Sequence, residues 1–508
     1  MPTDPSRRRA VLPENADPDH LRGQARRLQR AVRRGDPDAL RRLRTQGVAA
    51  PADGSEDAGG AGFPLSLAHL VIAREYGFVS WPRLKRHLDT VARHRWDPDA
   101  GSDPAEDESP ADRFCRLACL TYTAADGPER WARAAALLAD DPAIVDADIR
   151  AAAAAADVDA LRRHLAADPG AAVRHDGPYG WSPLFHLVYS RLHTPTGDAP
   201  AAAGLLLEAG ADPHEGYLWH GLPSPFTLLT GAFGEGEQGP ERRPRHPDSL
   251  ALARMLLDAG ADPADSQALY NRMFLPDDDH LVLLLARGLA RSDGGVWKSR
   301  LGDVLDTPQE MLRAQLGWAV DHRMPDRVRL LAEQGADLRS PLADGRTPAE
   351  HAQRNGDPEL VALLVAHGAD APVPSPAEAL LGAALAGDAA SVAALCAAHP
   401  TAAAEARAAR PSAMVWAAAQ GRVEALPLLA GLGFDVNALG RGDIPSDQPW
   451  ETALHHASMT GDVPSVRMLL ARGADPSLRD RRFDGTPLDW ARRFGQEATA
   501  ALLSDRQP

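Results

Sequence analysis

Four short stretches of this 508-residue chain put residue types where chemistry could follow. Gly234-Glu-Gly-Glu-Gln-Gly239 has the G-x-G-x-x-G spacing that cradles a pyrophosphate at a helix start. It follows a helical pattern rather than a strand, and Glu235 and Glu237 would repel a diphosphate, so a nucleotide role is set aside. Asp277-Asp278-Asp279-His280 has the donors of a metal cluster, yet acids after Pro276 equally suit the positive end of a helix. His455-His456 sits inside a helix-start pattern. Cys115 and Cys119 share a helix face at i, i+4 without the further His or Cys a zinc site needs. There is no G-x-S-x-G, no H-E-x-x-H and no P-loop. The expectation is no catalytic residue, no metal and no cofactor. The alternative is a small-molecule or catalytic pocket formed by residues 179–300, with Glu235, Glu237, Asp277, Asp278, Asp279 and His280 as its polar groups.

The elements that would position such residues are periodic. Six times an apolar pair runs into a Gly followed within two residues by Asp, ending at Asp212, Asp262, Asp337, Asp370, Asp435 and Asp475. The pair reads as the last turn of a packed helix, the Gly as its left-handed stop and the Asp as the opening of a turn. A second signature places Ser or Thr before a helix, mostly with Pro next: Ser182-Pro183, Ser224-Pro225, Thr347-Pro348, Thr452-Ala453 and Thr486-Pro487. Ser and Thr are good N-caps and Pro suits the first helical position. Each unit is thus cap, helix, turn, helix, Gly stop, hairpin-like finger.

Asp344-Gly-Arg-Thr-Pro-Ala-Glu-His-Ala352 and Asp484-Gly-Thr-Pro-Leu-Asp-Trp-Ala491 resemble the D-G-x-T-P-L-H-x-A motif of ankyrin repeats. The spacing from Gly335 to Gly368 matches that family's period of about 33 residues. Glu350, Asp489 and Phe185 stand where the family has a His; His455 keeps it, and Ala352, Ala457 and Ala491 keep the motif's final Ala. The resemblance covers roughly residues 147–508, more weakly 112–146, and is to the bacterial ankyrin-repeat type. It implies an all-α ankyrin-repeat solenoid and a non-enzymatic scaffold that binds another protein through its fingers and first helices.

Net charge is −15, which disfavours nucleic acid and anionic membranes as partners of the array. The charge is uneven: residues 1–95 carry 18 Arg and Lys against 11 Asp and Glu, a balance of +7. The expected organisation is a disordered tail 1–17, a basic helical module 18–95 resembling a degenerate ankyrin helix pair, an acidic linker 96–111 and the array 112–508. In the module, Leu21, Ala25, Leu28 and Val32 line one face of a first helix, and Asp36-Pro37 starts a second. Three cysteines exclude a disulfide framework. No apolar secretory h-region opens the sequence and no 18-residue apolar run spans a membrane, so a cytoplasmic location is expected.

Three insertions, 191–199, 234–248 and 440–449, break the plain repeats. Aromatic residues make up only 5% of the chain yet concentrate between 179 and 297. Tyr217 and Trp219 fall on a finger, GYLWHG, where repeat packing has no evident need of them. Aromatics with Arg are common interface anchors. The expected partner-binding residues are therefore Tyr217, Trp219, His220, Arg242, Arg243, Arg245 and Trp297.

Overall fold

All six Gly residues that follow an apolar pair adopt the left-handed backbone: Gly210, Gly260, Gly335, Gly368, Gly433 and Gly473 have φ between 81° and 108°. Five of the Asp side chains then accept the N–H two residues on, as Asp212 does from His214 and Asp475 from Ser477. The helix stops and finger turns are thus local consequences of two residue types. The computed structural model describes residues 12, 16–49, 63–99, 108–192, 194, 197–342, 344–441 and 449–504. The expected tail 1–17 lies mostly outside them, as do residues 50–62, residues 100–107 of the acid-rich stretch, and residues 442–448 of the third insertion. Among the described residues no helix is long and apolar enough to cross a membrane.

The fold is an all-α ankyrin-repeat solenoid in two units, Met1–Met311 and Leu312–Pro508. The first begins with four helices, α1 (Pro18–Arg33), α2 (Pro37–Thr45), α3 (Leu65–Glu75) and α4 (Trp81–His94). Asp17, Asp36 and Ser80 cap α1, α2 and α4, each with Pro just inside. Leu21, Ala25, Leu28 and Val32 are all buried, with Leu43, Phe63, Ile72 and Leu84 in the same core. Helices Ile149–Ala154, Pro183–Tyr189 and Leu228–Phe233 follow as stacked first helices of repeats. Their spacing is tight: a Cβ on Gly231 would stand 2.2 Å from the Tyr189 ring.

A small sheet departs from the helical pattern. β1 (Arg95–Trp96) runs parallel to β2 (Gly216–Trp219), which pairs antiparallel with β3 (Pro225–Thr227). The register sets Trp96 against Trp219 and Tyr217 against Phe226. Two expectations change here. Ser224-Pro225 does not start a helix: Pro225–Thr227 is strand, and Thr227 caps the helix Leu228–Phe233 through a capping box with Thr230. The finger's pairing holds the chain extended for three more residues, and Asp265 accepts from the hydroxyls of Thr227 and Thr230. Trp96, expected to open a linker, is instead a strand residue.

In the second unit, Thr347, Thr452 and Thr486 cap their helices as expected. Glu350 and Asp489 close capping boxes by accepting from the Thr347 and Thr486 N–H groups at 2.8 and 2.9 Å. His455 does so too, and its Nε2 lies 3.0 Å from the Gly485 carbonyl of the next finger. Ala352, Ala457 and Ala491 are fully buried, where a larger side chain would separate neighbouring helices.

Candidate functional site

β2 and β3 form the long finger on which the expected anchors sit, and β1 extends it by a third strand. The His220 N–H donates to the Trp96 carbonyl at 2.9 Å, continuing the ladder. The Trp96 ring enters an aromatic box, with centroids 4.6 Å from Tyr217, 5.1 Å from Trp181 and 5.7 Å from Tyr179. Tyr217 stacks on Phe226 at 5.6 Å, and Tyr122 meets Phe226 at 4.9 Å. Beneath the sheet, Val91 of α4 packs on Leu218, Trp297, Leu301 and Leu305. The basic module is therefore clipped to the finger of a repeat more than a hundred residues further on.

Tyr217 is only 5% exposed and Trp297 only 8%. They are not the open anchors expected: Trp96 of the added strand packs on Tyr217, and Val91 and His94 of α4 pack on Trp297. Trp219 is half-buried and its Nε1–H donates to the Thr121 carbonyl at 3.3 Å. His220 lies half-buried beside Asp97 and Asp99, with Nδ1 and Nε2 each 3.6 Å from one carboxylate. Among the described residues these three are the group whose donor atoms come within 4.8 Å of one another, as a metal site requires. An ion accepts only one nitrogen of an imidazole, whereas here each nitrogen faces a different acid. The geometry suits a side chain bridging two carboxylates.

The three arginines are engaged within the chain, Arg242 while still exposed. Arg242 donates to the carbonyls of Ala124 and Asp126, and Arg243 to that of Tyr122 while lying 5.1 Å from its ring centroid. Arg245 pairs with Asp277 and Asp279. The acids of the alternative pocket are engaged likewise. Fully buried Arg272 pairs with Glu235, Asp277 and Asp279. Burial pushes the Glu235 carboxyl up despite Arg272 beside it. His280 is buried against Phe233, and Glu237 is exposed, accepting from the Tyr270 hydroxyl. The two glutamates of the G-x-G-x-x-G stretch thus face opposite ways, and its glycines carry a loop that returns onto residues 122–126. Cys115 and Cys119 are buried, and burial pushes both thiols up, Cys119 to about 12.

The second unit holds a feature that the pattern of insertions and aromatics did not single out. A groove of about 270 Å³ lies between Asp344-Gly345-Arg346 of one finger and Pro372-Val373-Pro374 of the next, floored by Glu350, Gln353, Arg354 and Glu378 of the first helices. Val373 is 93% exposed. His351 bridges Asp321 at 3.2 Å and Asp344 at 2.8 Å. Burial alone would lower its pKa, but the two carboxylates outweigh burial and raise it. Arg410 is half-buried beside Asn355, with burial first and Arg354 second lowering its pKa to about 9. The Pro-Val-Pro run was the available sequence signal for this fingertip.

Residues 414–470 match the family model described as ankyrin repeats in many copies. Protein PhlB of Serratia liquefaciens is 30% identical over 129 residues, which cover 25% of this chain. The chain spans 57% of that relative's length. The match identifies ankyrin repeats at residues 414–470, and similar Gly-stopped helices, capped first helices and fingers recur in both units.

Proposed function

We propose that the protein is a non-enzymatic, cytoplasmic scaffold or adaptor that binds a partner protein through ankyrin fingers and first helices, and that the groove at residues 344–378 is the principal contact. The observation that carries this reading is Val373, an apolar side chain almost wholly in water at the tip of a finger beside a groove floored by first helices. Exposed apolar groups beside a concave surface mark places where another protein excludes water. Phe483, 65% exposed on a later finger, extends the same kind of surface within this unit. Tyr179, Trp181, Tyr217 and Trp297 serve a different role, holding the basic module to its finger. Trp219 and His220 remain at the margin of that clip and Arg242 is exposed beside residues 124–126, where a partner would meet them only secondarily.

Capture by photo-crosslinking tests this reading. A photoreactive amino acid replacing Val373 in the intact chain is expected to trap one discrete partner from cells. Val373→Asp is expected to abolish co-purification of that partner while helical content and melting stay unchanged. Unaltered co-purification would refute the assignment of the groove.

A further inference from the structure

We infer that the 344–378 groove takes an extended acidic segment of its partner, with one carboxylate held by Arg354 and a neighbouring apolar side chain against Val373. This rests on the groove reading above and adds the partner's chemistry.

The charges lining the groove divide into those already engaged and one that is not. Asp344 accepts from the Arg346 backbone at 3.0 Å and side chain at 2.9 Å, and pairs with His351 at 2.8 Å. Glu350 accepts from the Thr347 N–H at 2.8 Å. Glu378 accepts from the Ser375 N–H at 3.0 Å and its hydroxyl at 2.9 Å, with Arg346 3.7 Å away. Each acid on the floor thus works as a helix cap or a finger clamp. Arg354, at the end of the helix Pro348–Arg354, has no carboxylate within ion-pair distance among the described residues. Its one hydrogen bond is a long one, 3.5 Å to the Ala409 carbonyl. Arg346 and Arg410 repel it from a distance while Asp344, Glu378 and Asp321 attract it, and burial, then Arg346, leaves its pKa lowered. A half-buried guanidinium with no acid within ion-pair distance can grip an incoming carboxylate with two parallel N–H donors.

Two further features restrict the guest. Asp344, Glu350 and Glu378 flank Arg354, so a chain carrying a negative charge at every unit, such as a nucleic-acid strand, is repelled where a single carboxylate is not. The volume, about 270 Å³, lies just below the ~300–1,000 Å³ of small-molecule pockets, and it is open along the fingers. An extended peptide that places one acidic side chain inward and the next apolar one on Val373 meets both limits.

The test is panning of a random dodecapeptide phage library on the intact chain, followed by fluorescence polarisation with the enriched peptides. Enriched sequences are expected to share an Asp or Glu next to an apolar residue. Replacing that acid by its amide, or Arg354→Gln in the protein, is expected to weaken binding about tenfold or more. Arg354→Gln keeps helix propensity and removes only a long hydrogen bond, so melting should be unchanged. Val373→Asp separates the two levels of the argument. Peptides sensitive to Val373→Asp but not to Arg354→Gln would overturn the acidic partner and leave the groove standing. Peptides sensitive to neither, or no enrichment at all, would overturn both. Tighter binding of a single-stranded oligonucleotide than of any peptide would overturn the choice of a protein partner.

Discussion

Lowering the pH should destabilise the first unit through one residue of the second insertion. The His246 Nδ1 accepts the N–H of Asp248 at 2.9 Å, which fixes the neutral imidazole with its proton on Nε2. The ring is fully enclosed, and burial first, then the nearby Arg191 guanidinium, lowers its pKa to about 3. Protonation would point a new N–H at an existing one. The folded state therefore stays neutral while the unfolded chain protonates below about 6.5. Because the folded pKa is the lower one, stability is complete above pH 6.5 and declines as pH falls toward 3. Linkage gives a loss of about 2 kcal/mol at pH 5 and about 3 kcal/mol at pH 4 from this side chain. His246→Asn keeps an acceptor for Asp248 and cannot titrate. Native-state hydrogen exchange, read by mass spectrometry on peptides spanning 184–190 and 246–257, reports the opening free energy of this region at each pH. The variant is expected to start less stable at pH 7, through the lost ring, and to lose about 2 kcal/mol less than the parent on going to pH 5. His186, whose pKa burial lowers to about 4, leaves a residual acid sensitivity in both proteins. Equal losses in parent and variant would refute the argument.

Trp96→Ala should destabilise the first unit by about 2 kcal/mol, less than for a fully buried indole, and should open the 90–99 segment to limited proteolysis. Gly231→Ala should cost about 2 kcal/mol in urea denaturation, because the Tyr189 ring is enclosed and cannot retreat. Gly204→Ala, whose added methyl would lie an ordinary 3.5 Å from Met255, should be neutral or stabilising by up to about 1 kcal/mol. In the second unit His351 has a raised pKa, so its contribution is complete below pH 6.5 and is lost as pH rises through the folded value. Denaturation at pH 6 and pH 8 should show a decline in the parent that His351→Gln removes.

The elements that depend on neighbours in sequence were legible from it. A Gly after an apolar pair stops a helix wherever it occurs, and Thr347, Thr452 and Thr486 cap helices because the bonds they form are three residues long. The ankyrin motif could be read in the same way, down to Glu350 and Asp489 replacing the family's His with another capping partner. What escaped depends on distant pairing. Ser224-Pro225 has a cap's composition, but the finger's ladder prevails there. Tyr217 and Trp297 look like exposed aromatics until Trp96 covers the one and His94 and Val91 of α4 the other, and nothing within a dozen residues of either announces that partner. Glu235 and Glu237 are two residues apart, yet Arg272 draws one inward while the other meets Tyr270 at the surface.

The pairing of β1 with β2 carries a consequence for how the chain is made. Repeats ordinarily add one after another, each resting on the one just completed, so an array can fray from its end. Here Arg95 is the partner of Leu218, a link across roughly 120 residues. During synthesis the first four helices must wait for the finger to emerge before their clip can close. Once closed, that clip turns the intervening repeats into a loop with both ends fastened. Closing such a loop costs chain entropy that grows only slowly with its length, so the wait is long but the penalty is modest. In return, those repeats have no loose end from which to unravel, and a lesion anywhere between residues 112 and 215 is felt at both fastenings.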